Sequence, residues 1–336
     1  MTNIENLKAV GGEFEPNNEN TLGYLMWYTL SEVGISHEKL EDLMINHQIS
    51  DKYMPKEINA RDAFRRVTNS YYELKGVMVD DQRFKNVLIR QVRQTPSEII
   101  KTLVREIVDS NNQRLSHEEV AKIILDDTND ISLERMKTLE PEEEDMVNLI
   151  MRDFDIAKVE HNASHIRHII NRIMEEIKTI SVRPSGGVFF VKYQSRETAI
   201  NLQNFINGLS NYVKIPEHRT SCYKLPVVRG TEQNQMLVES LNDQLKKDSE
   251  SLINKMKTTI DDIKKGTRVK PQTLADFADR IKELKIMERD YKESLEFKEL
   301  EATENLKIAY MQYKEMFSVH AEKSSEEIME GEANAV

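Results

Sequence analysis

Eight apolar residues, Ile156, Val159, Ala163, Ile166, Ile170, Ile173, Ile177 and Ile180, follow one another at steps of 3, 4, 3, 4, 3, 4 and 3. That spacing keeps one stripe on one face of a helix and is the signature of a coiled-coil seam. It predicts a long helix over 139–181, opened by Pro141 and the acidic run Glu142 to Asp145, which suits the positive end of a helix and reads as a solvated start. Two more stripes follow. Val238, Leu241, Leu245, Leu252, Met256, Ile260 and Ile263 mark one helix, and Leu274, Phe277, Ile281, Leu284, Met287, Tyr291 and Leu295 open another that runs on toward His320. Only 11 Gly and 8 Pro punctuate the 336 residues, so long helices meet few breakers.

Shorter segments read differently. Leu22 to Leu30 is an aromatic and apolar strand, Ser36 caps a helix through Leu40 and Met44, and Asp62 to Tyr72 is helical. Between Phe84 and Asp126, β-branched clusters alternate with turn residues, and Asp109-Ser110-Asn111-Asn112 is a hairpin signal, although Glu98 to Val108 also suits a helix. Pro184 ends the seam. Val188 to Val191 and Ser221 to Val228 are strands flanking a helix that Ser195 caps. The expected fold is an α-rich α+β chain. A flexible tail (1–20) leads to an α+β domain (21–130). A long antiparallel helical bundle or coiled coil follows, in which a small β-α-β module (182–230) interrupts one long helix (139–181) and two more (231–321). A disordered acidic tail (322–336) closes it.

Composition narrows the function classes. One cysteine, Cys222, excludes an internal disulfide framework and a cysteine zinc site, and its apolar strand suits an inert buried thiol. No run approaches the roughly 20 apolar residues of a membrane span, and no signal-peptide core opens the chain, so a cytoplasmic protein is expected. The net charge is −11, which alone would repel nucleic acid. It is uneven, however: residues 61–114 carry 11 basic and 7 acidic side chains, and residues 147–230 carry 12 and 7.

Candidate contact residues lie in and around these basic islands. Arg61, Arg65 and Arg66 share a short helix with Tyr71 and Tyr72 just beyond, the mix of charge and aromatic surface that grips single strands, or else a core helix with locally paired arginines. Lys158, His161, His165, His168 and Arg172 each lie two residues after a seam position, about 200° round the helix, which predicts a solvent-facing basic ridge. Three histidines on one straight helix converge poorly on a metal, so the ridge reads as a solvated face or a polyanion contact. Arg183 and Ser185 sit in a turn whose glycines precede a strand, unlike a phosphate loop. Lys264, Lys265, Arg268 and Lys270 crowd the break between the last two helices, where lysines also suit the helix dipole. No catalytic order or cofactor motif stands out, so neither enzyme activity nor a cofactor is expected.

Two segments resemble an uncharacterised family of proteins from phages and other prokaryotic mobile elements. One is Asp62-Ala63-Phe64-Arg65-Arg66-Val67-Thr68, preceded by Met54-Pro55 and Ile58. The other is Arg183 to Val191, followed by a helix and the strand ending Leu225-Pro226. With Leu103-Val104-Arg105-Glu106 the resemblance spans about 20–230. It implies a phage or prophage setting and carries over no functional residues. The expected role is a non-enzymatic accessory protein, forming a homo-oligomer, that binds nucleic acid or a nucleoprotein complex through the basic islands. The alternative is a scaffold or inhibitor that engages host or phage protein through helical faces.

Overall fold

A computed structural model describes residues 16–71, 73–183 and 186–333, with side chains to 323. The chain divides into two compact units. Unit 2 is Leu30–Ile169 with Leu209–Arg219, and unit 1 is the described residues up to Thr29, Ile170–Gly208 and those from Thr220 on.

Unit 2 is built on a five-stranded antiparallel meander: β3 (Glu73–Asp80), β4 (Arg83–Gln94), β5 (Ile99–Asp109), β6 (Arg114–Leu125) and β7 (Ile131–Arg135), paired in that order. Its turns obey one chemistry. Asp80, Asp109 and Asp126 each accept main-chain N–H groups two to four residues on through their carboxylates. Such local side-chain bonds close tight turns, and Asn112 and Asn129 supply the left-handed residues at φ 60° and 65°. The β-branched run Ile99–Asp109 therefore becomes a strand, settling the helix-or-strand ambiguity. Two helices cover one sheet face: α2 (Ala60–Ser70) with Ala63, Phe64 and Val67, and α3 (Pro141–Ala157) with Met146, Val147, Ile150 and Phe154. They meet Val87, Ile99, Leu103, Val120 and Ile123, and Phe64 lies edge-on to Phe154 at 6.1 Å. Helix α1 (His37–Asn46) starts at Ser36, whose hydroxyl accepts from the Lys39 N–H.

Unit 1 holds a four-stranded antiparallel sheet ordered β11 (Ser221–Val228), β1 (Thr21–Thr29), β10 (Val188–Lys192), β9 (Ile180–Ser181). Helix α4 (Ala163–Glu176) precedes β9, and α5 (Arg196–Gly208) joins β10 to β11. Taken in chain order, that is β-α-β-β-α-β with spatial order 4-1-3-2, the ferredoxin-like split β-α-β arrangement. The whole of 30–169 is spliced into its first crossover, and the division between the units falls inside α4. β1 approaches β10 closely at Gly23, where a Cβ would lie 2.1 Å from the Val191 carbonyl oxygen. Helices α6 (Thr231–Lys264), α7 (Pro271–Leu295) and α8 (Ala302–Ala333) share a core with Phe190, Ile180 and Leu22 of this sheet.

The expected long bundle or coiled coil is not formed. The chain is 51% helix and 26% strand, with eight helices and three sheets among the described residues. The seam over 139–181 fails for a local reason. Helix α3 ends at Ala157, and β8 (Glu160–Asn162) pairs with β2 (Gly34–Ser36). Asn162 then caps α4, its Oδ1 accepting from the N–H groups of Ser164 and His165. Ile156 and Val159 are exposed, Ile166, Ile170 and Ile173 are buried, and Ile180 belongs to β9. The acidic helix start is not solvated either: Glu143 is fully buried. The strand at Leu22 is β1 of unit 1, not a strand of the five-stranded sheet's domain. Helix α8 runs through Ala333, into the stretch expected to be irregular.

Candidate functional site

A cleft lies where the seam breaks. In unit 2, the end of α3, strand β8, the first turn of α4 and the Leu209–Arg219 segment surround a cavity of about 590 Å³. Val213 bridges Val33, and the Lys214 N–H donates to the Glu32 carbonyl at 2.8 Å, so the 209–219 segment is pinned beside β2. Cationic side chains line this cleft from four places in the chain: Arg66 from α2, Arg152 from α3, Arg167 from α4 and Lys214. Asn162, Ala163 and Ser164 line it too, so the positive end of α4 opens there.

The four cations are not equivalent. Arg152 pairs with Asp153 at 2.9 Å, and Lys214 pairs with Glu160 at 3.0 Å. Arg66 instead donates to the Ala157 carbonyl at 3.0 Å and Arg167 to the Leu30 carbonyl at 3.1 Å. A carbonyl orients a guanidinium without cancelling its charge, so these two keep theirs to offer a ligand. Burial pulls Arg66 below the usual arginine range, partly opposed by Asp62; arginine side chains stay cationic in proteins. Tyr71 donates to Asp153 Oδ2 at 2.5 Å, and that bond pushes the phenol up. Burial pushes the Asp153 carboxyl up, but Tyr71 and Arg152 outweigh it and hold the group below the ordinary carboxylate range.

Beside the cleft runs a file of imidazoles. His37 Nδ1 lies 3.0 Å from His161 Nε2, and His161 Nδ1 lies 3.4 Å from His165 Nδ1. Burial, then the neighbouring His165, His37 and Arg66, lowers His161 to about 4. His165 is lowered by burial, by Arg66 and by His168. His161 is thus neutral at pH 7 and can pass one hydrogen bond along the file. Among the described residues no group of three or more His, Cys, Asp or Glu side chains is placed to hold a metal ion.

This overturns the expected basic ridge. His161 is fully buried on β8, His165 is half-buried, and only His168 of the three is exposed on α4. Lys158 ends α3, pairs with Asp155 at 3.1 Å and Asp130 at 3.4 Å, and sits over the Phe154 ring. Arg172 lies half-buried in unit 1. On α2, Arg61 donates to the Thr95 and Pro96 carbonyls and Arg65 pairs with Asp62, so Arg66 alone of that trio reaches the cleft. Arg183 is exposed in the turn between β9 and β10, and Ser185 and Tyr72 lie outside the described residues. Lys264, Lys265, Arg268 and Lys270 are all exposed at the α6–α7 connection of unit 1. Burial pushes the Cys222 thiol up to about 12, so it is inert at neutral pH. Arg152, Arg167, Lys214, Asp153 and His37 escaped the sequence reading. The local signal at the place where they meet, the Asn162 cap of α4, went unread because the seam predicts one helix running through it.

The molecule is thus a mixed α/β chain with a ferredoxin-like sheet in one unit and a cation-lined cleft in the other. It belongs to a family of unknown function, DUF6744, whose model matches residues 21–323. No curated protein and no solved structure matches the chain. Among the described residues no helix is long and apolar enough to cross a membrane.

Proposed function

We propose that the protein binds nucleic acid, holding a backbone phosphate in the unit 2 cleft, as a non-enzymatic accessory factor in a phage or mobile-element setting. The observation that carries this reading is the pair Arg66 and Arg167, which line one cavity beside a helix N-terminus and hydrogen-bond to carbonyls, with no ion pair to a carboxylate for either among the described residues. Guanidinium forks suit phosphate oxygens, and the positive end of α4 favours an anion beside them. Arg61, Arg65 and Lys158 are held by carbonyls or carboxylates, so binding at the cleft would rest on few contacts and fall with salt accordingly.

Fluorescence anisotropy of labelled single-stranded DNA, duplex DNA and RNA at two salt concentrations tests it. Micromolar or tighter binding is expected at low salt. The Arg66→Ala/Arg167→Ala double variant should lose at least about 10-fold, with a salt slope shallower by about one per phosphate contact removed. Absence of binding to all three at low salt sinks the proposal.

One observation favours a protein partner instead. In unit 1, Ala278, Ile281, Ile286 and Tyr310 floor an apolar groove of about 540 Å³ between α7 and α8. Lys285 and Lys314 lie over the Tyr310 ring at 4.4 and 4.7 Å. Association through that groove would be nearly indifferent to salt, which separates the two readings.

A further inference from the structure

The unit 1 sheet has two faces, and only one is fully covered. The register places Tyr223, Trp27 and Val188 side by side in one row across β11, β1 and β10, and Leu225, Leu25 and Phe190 in a second row on the same face. Burial along both rows runs in one direction. Phe190 is 1% exposed beneath the C-terminal helices, whereas Trp27 is 38%, Tyr223 50% and Leu225 55% exposed. The helices cover β11 only at Val227, 6% exposed in their core, and among the described residues leave an aromatic step open at Trp27 and Tyr223. Trp27 and Tyr223 are stacked, with ring centroids 5.8 Å apart and planes 28° from parallel.

We propose that this step is a stacking platform for the bases of single-stranded nucleic acid, with Trp27 and Tyr223 as the flat faces and Arg183 as the phosphate contact. The proposal rests on the nucleic-acid reading but uses different residues. Three features select a base over another occupant. Exposed rings held in place by pairing and mutual stacking give sequence-tolerant affinity to any base, because every base has a π-face. None of the side chains in the two rows is acidic, so nothing there repels a phosphate backbone. And the row continues into the turn carrying exposed Arg183, since the Val182 N–H donates to the Val188 carbonyl and Arg183 is the next residue. A duplex hides its base faces and should not engage.

Trp27 is the chain's single tryptophan, so its emission reports this step alone. The full chain is titrated with a 12-nucleotide oligothymidine and with a 12-base-pair duplex, following Trp27 emission and, in parallel, anisotropy of the labelled strands. Saturable quenching by the single strand and little by the duplex is expected. The Tyr223→Ala variant, at an exposed position that folding tolerates, should bind the single strand about 10-fold more weakly, as loss of one stacked base predicts. Arg183→Ala should flatten the salt dependence. Binding by anisotropy without quenching overturns the platform and leaves the cleft reading standing. No anisotropy change overturns both. An emission change that follows protein concentration without any oligonucleotide means that a second copy covers the step, and also overturns the platform.

Discussion

At the scale of single residues, His161 couples the site to stability. Its ordinary pKa near 6.5 falls to about 4 in the folded chain, with burial as the main cause. A histidine whose folded pKa lies below its unfolded one resists protonation in the native state, so acid favours unfolding. Its contribution is intact above about pH 6.5, erodes as pH falls toward 4 and then levels off, at most about 3 kcal/mol. His165 is shifted the same way and adds to the slope. The lowered carboxylates Glu143, Glu106 and Asp290 also lose stability in acid, but only at and below the ordinary carboxylate range. The window from pH 6.5 to 5 therefore favours the histidines, while the Asp248 carboxyl, raised by burial, acts in the opposite sense. Urea midpoints at pH 7.5 and 5.2 should differ, and His161→Asn should narrow the gap. An unchanged gap would mean that the file of imidazoles is better solvated than its burial indicates.

At the scale of elements, the start of α3 shows how one residue does two jobs. Glu143 Oε2 accepts from the Glu140 N–H in a capping box, and the same carboxylate binds Arg105 of β5 through both Nε and Nη2. Lys85 of β4, almost fully buried, meets Glu140 and Glu142 at 2.6 and 2.7 Å. A helix start that looked solvated is therefore the clamp that fastens α3 to the sheet. Removing Glu143 leaves Arg105 with Glu140 at 3.3 Å and Glu118 at 3.8 Å and removes one half of the capping box. Glu143→Ala should cost about 3 kcal/mol, the lower end for breaking a buried pair. The equivalent change at the half-buried Glu144, whose surface pair is with Arg135, should cost under about 1 kcal/mol. Denaturant midpoints of the two variants give the comparison, and equal midpoints would refute the clamp. The same element exposes where sequence reading stops. Strand and turn chemistry is local, so β1, β10, β11 and the Asp109 hairpin were legible. The 3-4 spacing was also local, but it persists through a break, because strand β8 and its cap Asn162 change direction without disturbing the count. Burial of Glu143 and convergence of Arg66, Arg152, Arg167 and Lys214 are tertiary facts with no local signature.

At the scale of the whole molecule, chain order and spatial order part company. β1 lies between β10 and β11, more than 150 residues later in the chain, while the buried core that the five-stranded sheet shares with α2 and α3 falls between Ala63 and Phe154. The two units therefore stand in different relation to the termini of any fragment. A piece covering 30–169 carries the five-stranded meander, α2, α3 and their shared core entire, and its contacts run mostly between neighbouring strands. It lacks Lys214 and the Val213 bridge, so it keeps the fold and loses one wall of the cleft. A piece covering 170–336 lacks β1. Its sheet would lose the strand that both β10 and β11 pair with, and each would be left with an open edge at the centre of the unit. The first fragment should unfold cooperatively in urea, with dispersed amide resonances. The second should not, unless a peptide covering residues 16–29 is added to restore β1. Rescue by that peptide would show that the sheet is completed by the strand ahead of the insertion. Cooperative unfolding of 170–336 alone would mean that the helices α6 to α8 carry unit 1 without it, and that the aromatic step on β1 and β11 is an addition to that core, not part of what holds it.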